Sequence, residues 1–336
     1  MRSDCVTDQA EGLRRLLVCN RTQVITVVGG KAGVGRTSAA INLAAALAHS
    51  GKNVLVLDEN HAPNNLPGCL GLSAKHDLLD VARGKCKLRD AVLTDRGFGI
   101  LPAARAMQML QGIEAHEESR PARAHLRPGN HSSDRRYKTQ DSTATLKYAE
   151  QQRLKNALTE ASDGMDVMLV DTATLAGQSA VSSSLVSGAA LLVVVEATPS
   201  GITESYALIK RLATENMRQQ FEIVINKAGN EKAAMTVFEN MAKVTRRNLP
   251  AHLEYLGYIP FDDRLNYATR LGKSVIEAFP SAASAKSYSK LSQKLLRLSM
   301  QQDETEGGVS VIIQNLMKQA AQPSALTHCY ETSGAG

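Results

Sequence analysis

Aromatic side chains are scarce: Phe, Trp and Tyr make up 4% of the 336 residues, and Trp is absent. The 43% apolar fraction is nevertheless rich enough in Val, Ile, Leu and Ala for a sizeable core, which excludes a disordered chain. No run reaches the roughly 18 apolar residues that a membrane span requires. Residues 1–20 mix acids with bases and lack a long apolar stretch, so no secretory signal is expected. Cys5, Cys19, Cys69, Cys86 and Cys329 form no CxxC pair. That odd, scattered set reads as reduced cytosolic thiols, neither a zinc site nor a disulfide framework. A strong charge of either sign is also missing. The net +6 permits a nucleotide, nucleic-acid or lipid-headgroup partner but is too mild to choose among them.

What is present is an alternation of strand and helix. Short β-branched runs at 23–28, 54–57, 98–101, 167–170, 191–195, 223–225 and 255–259 are mostly continuous rather than alternating. Such strands are buried on both faces, as in a parallel sheet covered by helices. Helical patterns fall at 37–50, 146–161, 203–215, 231–247 and 282–300, so the expected fold is a doubly wound α/β sheet. Two stretches break the rhythm. Residues 115–141 hold six Lys/Arg, three His and few large apolar side chains, which predicts a mobile surface insertion. Residues 301–308 are acidic and glycine-containing and read as a linker.

The strongest motif is Gly30-Lys31-Ala32-Gly33-Val34-Gly35-Arg36-Thr37-Ser38, between a strand and a helix. That is the context of a phosphate-binding G-x-x-x-x-G-K-[ST] loop. Its glycines let backbone N–H groups wrap an anion, the helix start adds partial positive charge, and the Thr37 hydroxyl suits Mg²⁺. Arg36 stands where Lys is usual. It keeps the charge but brings a larger planar fork.

With Lys31 early in the loop, the pattern resembles the deviant loop of the MinD/ParA family, a branch of the P-loop NTPases of the SIMIBI type. The resemblance implies an ATP-dependent homodimer in which Lys31 reaches the partner subunit's nucleotide. Ala32 and Arg36 depart from the family's glycine and lysine.

Asp58 and Asp171 end two predicted strands, where an acid beside a phosphate loop can hold Mg²⁺ through water. Each alone reads equally as a helix cap or turn residue. By resemblance Asp171 is the Walker B acid, and Asp58-Glu59-Asn60 matches a D-x-D pattern whose second acid orients the attacking water. Asn60 stands at that second position. An amide cannot take a proton as a carboxylate does, so weak hydrolysis is expected. Glu59 is expected to face away from the strand end. The resemblance further assigns Asn226 to the adenine edge and Pro260 and Asp262 to a G-x-I-P-x-D element. Lys227 is followed by Ala228 and Gly229, so the N-K-x-D guanine reader is absent and ATP is favoured.

Asp8, Gln9, Ala10, Leu13 and Arg14 form a D-Q-A-x-x-L-R segment similar to the signature of the flagellar number regulators FlhG and FleN, a MinD-like branch. Ala10, Leu13 and Leu17 also make a helical stripe that suits a plain docking helix. The resemblance implies that this segment stimulates an FlhF-type GTPase through Gln9. Near the other end, Val309, Ile312, Ile313, Leu316 and Met317 fall at i, i+3, i+4, i+7 and i+8. That short amphipathic helix either contacts membrane or packs onto its own domain. Residues 301–336 carry one base against four acids, so attraction to anionic lipid would be small. The excess sits in residues 201–300, with 15 bases against 9 acids.

These readings give an N-terminal segment (1–20), an ATP-binding domain (21–300) and a C-terminal linker, helix and tail (301–336). They describe a cytoplasmic switch, peripheral at the inner face of the membrane if the C-terminal helix binds there. It binds ATP and Mg²⁺, dimerises, hydrolyses slowly and acts on an FlhF-type GTPase. A non-hydrolysing adaptor that contacts that GTPase or a flagellar transcription activator is the alternative. A ParA-like DNA-binding ATPase is a third reading, with DNA the least favoured partner.

Overall fold

The computed structural model describes residues 22–63, 65–95, 97–110, 148–173, 189–298, 308–309 and 311–314. The N-terminal segment with Asp8, Gln9, Ala10, Leu13 and Arg14, the insertion 115–141, and Leu316 and Met317 lie outside these residues.

Eight strands form one sheet in the order β3-β4-β2-β5-β1-β6-β7-β8. They are β1 (Gln23–Gly29), β2 (Val54–Asp58), β3 (Leu93–Asp95), β4 (Phe98–Pro102), β5 (Val167–Asp171), β6 (Ala190–Glu196), β7 (Gln220–Ala228) and β8 (His252–Pro260). All neighbours pair in parallel except β3, a short antiparallel edge strand on β4 that the sequence pattern did not reveal. Every residue of β2 and β5 is buried, which is why their sequences VLVLD and VMLVD show no alternation.

Helices cover both faces. α1 (Arg36–His49) is alanine-rich, with good helix propensity and small side chains that allow close approach to the sheet. Leu43, Leu47, Ile25, Val56 and Leu169 share one core with it, closed by Tyr288 and Leu291. α2 (Leu66–Cys69), α3 (Leu78–Ala82), α4 (Leu88–Ala91), α5 (Ala104–Leu110) and α6 (Tyr148–Ser162) follow. α7 (Pro199–Glu215), α8 (Glu231–Asn248), α9 (Asp263–Arg270), α10 (Val275–Ala278) and α11 (Ala283–Leu298) complete the set. α7 begins four residues before the predicted helix because Thr198 caps it and Pro199 occupies its first turn.

Val309, Ile312 and Ile313 pack on this same body. Ile312 and Ile313 are 5% and 4% exposed and sit in an apolar cluster with Val24, Leu57, Met107, Leu158 and Val170. Of the two fates open to this stripe, the structure shows packing onto its own domain. Among the described residues, no helix is long and apolar enough to cross a membrane.

Candidate nucleotide site

The parallel topology brings the C-terminal ends of β1, β2, β5, β6 and β7 to one edge of the sheet. That edge, where chain connections diverge to either side of β1, is where open α/β sheets bind ligands. β1 runs directly into the glycine loop. Gly33 and Gly35 take left-handed φ values of 76° and 98°, which L side chains adopt only with strain. A Cβ on Gly35 would also collide with the Asn226 amide, and one on Gly30 would enter the backbone of Glu204 and Ser205 in α7.

α1 starts on Gly35 without a side-chain cap and with no acid in its first turn. α7, α8, α9 and α10 each have a side-chain cap, from Thr198, Asn230, Asp262 and Ser274. No side-chain cap occupies the start of α1, as an anion site there requires.

Two banks flank the loop. On the β2–β5 bank, Asp58 and Asp171 are register partners and both fully buried. Asn60 clips them together, since its Nδ2 donates to Asp58 Oδ1 at 3.1 Å and to Asp171 Oδ2 at 2.8 Å. An amide donates here where a carboxylate would add a third negative charge. Asp58 also accepts from Asn60 N and Leu66 N, so both of its oxygens are engaged. Asp171 Oδ1 finds no hydrogen-bond donor among the described residues. Burial, reinforced by the Asp58 charge, pushes Asp171 up to about 7, with Arg36 and the Thr37 hydroxyl opposing.

Arg36 is itself buried, and its Nη1 donates to Thr172 Oγ1 at 3.2 Å. Burial lowers its pKa against the pull of Asp171 and Glu59. Glu59, expected to point to the opposite face of the strand end, is 3% exposed, and its Oε1 has no hydrogen-bond partner among the described residues. Desolvation drives it up to about 8, and Arg36 is the charge that opposes this. The sequence reading missed Thr172, which follows the end of β5 and takes the Arg36 guanidinium.

On the β6–β7 bank the charges beside the loop are paired. Lys31 Nζ donates to Ser200 Oγ at 2.8 Å and lies 3.2 Å from Glu196 Oε2. Lys227 Nζ reaches Glu196 Oε1 at 2.8 Å and the Gly33 carbonyl at 3.0 Å. Asn226 donates Nδ2 to the Val34 carbonyl at 2.7 Å and accepts from Lys227 N at 2.9 Å. Asn226 is 4% exposed, and these two bonds make it a brace under the loop. Asp262 is likewise structural. Its Oδ1 caps α9 at Arg264 N, and its Oδ2 accepts from Ser284 N and Oγ. Pro260 ends β8. Ala32 and Gly33 are exposed at the loop tip, Val34 is buried in the core, and Thr37 and Ser38 are half-buried.

Among the described residues, no group of three or more His, Cys, Asp or Glu could hold a metal by itself. Mg²⁺ in phosphate sites needs only one or two protein oxygens plus phosphate and water. The orphaned Asp171 Oδ1 and the adjacent Thr37 hydroxyl fit that need. Asp58 already accepts three hydrogen bonds, which leaves it room for a water of the metal's shell rather than for a direct bond.

A parallel sheet whose central strand opens into an uncapped glycine loop, with a buried acid on the neighbouring strand, defines a P-loop nucleotide-binding protein. The chain belongs to the CobQ/CobB/MinD/ParA nucleotide-binding family, whose model matches residues 25–275. It is 35% identical to the antiactivator FleN of Pseudomonas aeruginosa over 81% of this chain and 86% of that protein. It is 24% identical to the flagellum site-determining protein YlxH of Helicobacter pylori over 77% of each chain. Among solved structures it resembles the MinC:MinD cell division protein complex of Aquifex aeolicus, with a TM-score of 0.57 and 22% identity over 82% of this chain and 96% of that one. It also resembles MinD from Pyrococcus horikoshii complexed with Mg-ADP, with a TM-score of 0.56 and 19% identity over 84% and 99%. At these identities the structural likeness establishes the fold.

Proposed function

We propose that the protein is a nucleotide-controlled switch that regulates flagellar number or placement. The observation that carries this is the 35% identity to an antiactivator across most of both chains, joined to an intact phosphate loop. In this reading ATP and Mg²⁺ bind at residues 30–38. Loop N–H groups and the start of α1 take the phosphates, while Thr37 and Asp171 hold the metal. The metal would neutralise phosphate charge and supply Lewis-acid polarisation when bound. Two ATP-loaded subunits then meet across the loop, and Lys31 serves the partner subunit's nucleotide. Residues 1–20 act on an FlhF-type GTPase.

Hydrolysis in this reading is slow, because Asn60 spends its amide on two carboxylates and offers no base to water. The same fact supports the second reading, a non-hydrolysing adaptor for the GTPase or a flagellar transcription activator. Light scattering at saturating ATP-Mg²⁺ tests the switch: a dimer is expected, and a persistent monomer overturns it. Phosphate release separates slow enzyme from adaptor. A peptide of residues 4–20 should stimulate an FlhF-type GTPase and lose that effect on Gln9→Ala.

A further inference from the structure

Glu196 occupies a place that no phosphate-loop motif calls for. It ends β6, and its side chain is 14% exposed on the rim of the loop. One oxygen holds Lys227 and the other holds Lys31. The two lysines are not equivalent. Lys227 is fastened at several points: its Nζ also binds the Gly33 carbonyl, and its backbone N–H is held by Asn226 Oδ1. Its φ of 57° is a left-handed value that a lysine keeps only when its surroundings impose it. Lys227 therefore fixes the Glu196 carboxylate. Lys31 is tied only by its terminal ammonium, to Glu196 and to Ser200 Oγ at the start of α7.

We infer that Glu196 is an intrachain latch for Lys31, holding the lysine on its own subunit until ATP draws it to the phosphates of a second copy of this chain. This rests on the dimerising switch proposed above. An ammonium committed to Glu196 and Ser200 cannot at the same time serve a partner's nucleotide, so closing the dimer requires both subunits to release. The contact suits a reversible device. Lys31 is one-third exposed, and exposed ion pairs hold by only about a 1.5- to 5-fold equilibrium factor. Two latches open and two ATP enter per dimer, so removing the latches should lower the ATP concentration for half-maximal dimerisation by about the single-latch factor, roughly 1.5- to 5-fold. Lys227 has no such part, because it stays on the loop in either state.

The test is dimerisation of the full chain against ATP-Mg²⁺, followed by sedimentation or light scattering, for wild type, Glu196→Gln and Lys227→Gln. Glu196→Gln should dimerise at lower ATP, and Lys227→Gln should not. Simple removal of negative charge near the phosphates is a rival cause. It would tighten ATP binding equally in the monomeric Lys31→Ala background, where the latch predicts no change from Glu196→Gln. Equal midpoints for wild type and Glu196→Gln, or an undiminished gain in the Lys31→Ala background, overturn the latch while the switch stands. If neither wild type nor Glu196→Gln dimerises at saturating ATP, both the switch and the latch fall.

Discussion

The two banks of the loop are built on opposite principles. On the β2–β5 side, Asp58, Glu59 and Asp171 are buried together, and Asp171 Oδ1 and Glu59 Oε1 lack donors among the described residues. On the β6–β7 side, Lys31, Glu196 and Lys227 are all paired and all reach solvent. Buried unpaired polar atoms are costly, about 1–3 kcal/mol each, so the first bank holds a cost that a bound cation or proton would relieve. Exposed pairs contribute about 0–1 kcal/mol, so the second bank can rearrange at little expense. One side is shaped to retain a ligand and the other to move.

The largest expected effect breaks the first bank. Asp171→Ala removes the orphaned carboxylate, and the Mg²⁺-dependent part of nucleotide binding should weaken by about 10- to 100-fold, in line with the roughly 1.5–3 kcal/mol of a charge-assisted contact. Calorimetry with and without Mg²⁺ measures this. An unchanged metal dependence would place the cation elsewhere.

Asn60→Asp exchanges the clip for a fourth acid on this bank. It should raise phosphate release by at least about tenfold if water positioning limits turnover. Ligand-free stability should fall by about 2 kcal/mol, since an amide bridging two carboxylates becomes a like charge among them. Chemical denaturation and a phosphate assay report the two halves separately. A gain in turnover with no loss of stability would show that Asn60 does not hold the acids together.

Glu59→Gln probes the same bank by pH. The folded-state pKa of Glu59 is raised from the ordinary 4.5 to about 8. Its contribution to stability is therefore fully present below about pH 4.5 and is lost as pH rises through about 8. A neutral glutamine escapes that loss. The variant should match wild type near pH 4.5 and exceed it by about 1–3 kcal/mol at pH 9 without nucleotide. Thermal unfolding across that range decides it, and parallel curves would mean that Arg36 already compensates the charge.

The asymmetry between the banks was only partly legible in the sequence. Apolar runs such as VLVLD and VMLVD announced a buried parallel sheet because both strand faces are covered. Gly30 to Ser38 announced the loop because glycine spacing answers a backbone demand that depends on few distant neighbours. β3 stayed hidden because a three-residue edge strand has too short a pattern. The fates of Asn226 and Asp262 stayed hidden because their partners, Val34 and Ser284, are remote in sequence. Family resemblance assigned both to the ligand, and hydrogen bonding within the chain gives both a structural role as well. The burial of Glu59 stayed hidden because alternation along a strand gives a direction but not what covers that face. The Ile312 stripe was correctly seen as amphipathic, yet periodicity alone could not choose between a lipid and a protein surface.

The smallest expected effect lies on the second bank. Lys227→Met removes two contacts, to Glu196 and to the Gly33 carbonyl, while preserving chain length. Both are partly exposed, so stability should drop by only about 0.5–1 kcal/mol, and less at high salt where exposed pairs are screened. The backbone effect acts in the same place. Lys227 sits at φ 57°, so Lys227→Gly would relieve strain of about 1 kcal/mol and offset the lost ion pair. Denaturant midpoints at low and high salt should rank Lys227→Gly at or above Lys227→Met. If Lys227→Met instead cost as much as Asn60→Asp, the second bank would be a rigid structural element, and its reading as the mobile side of the site would fail.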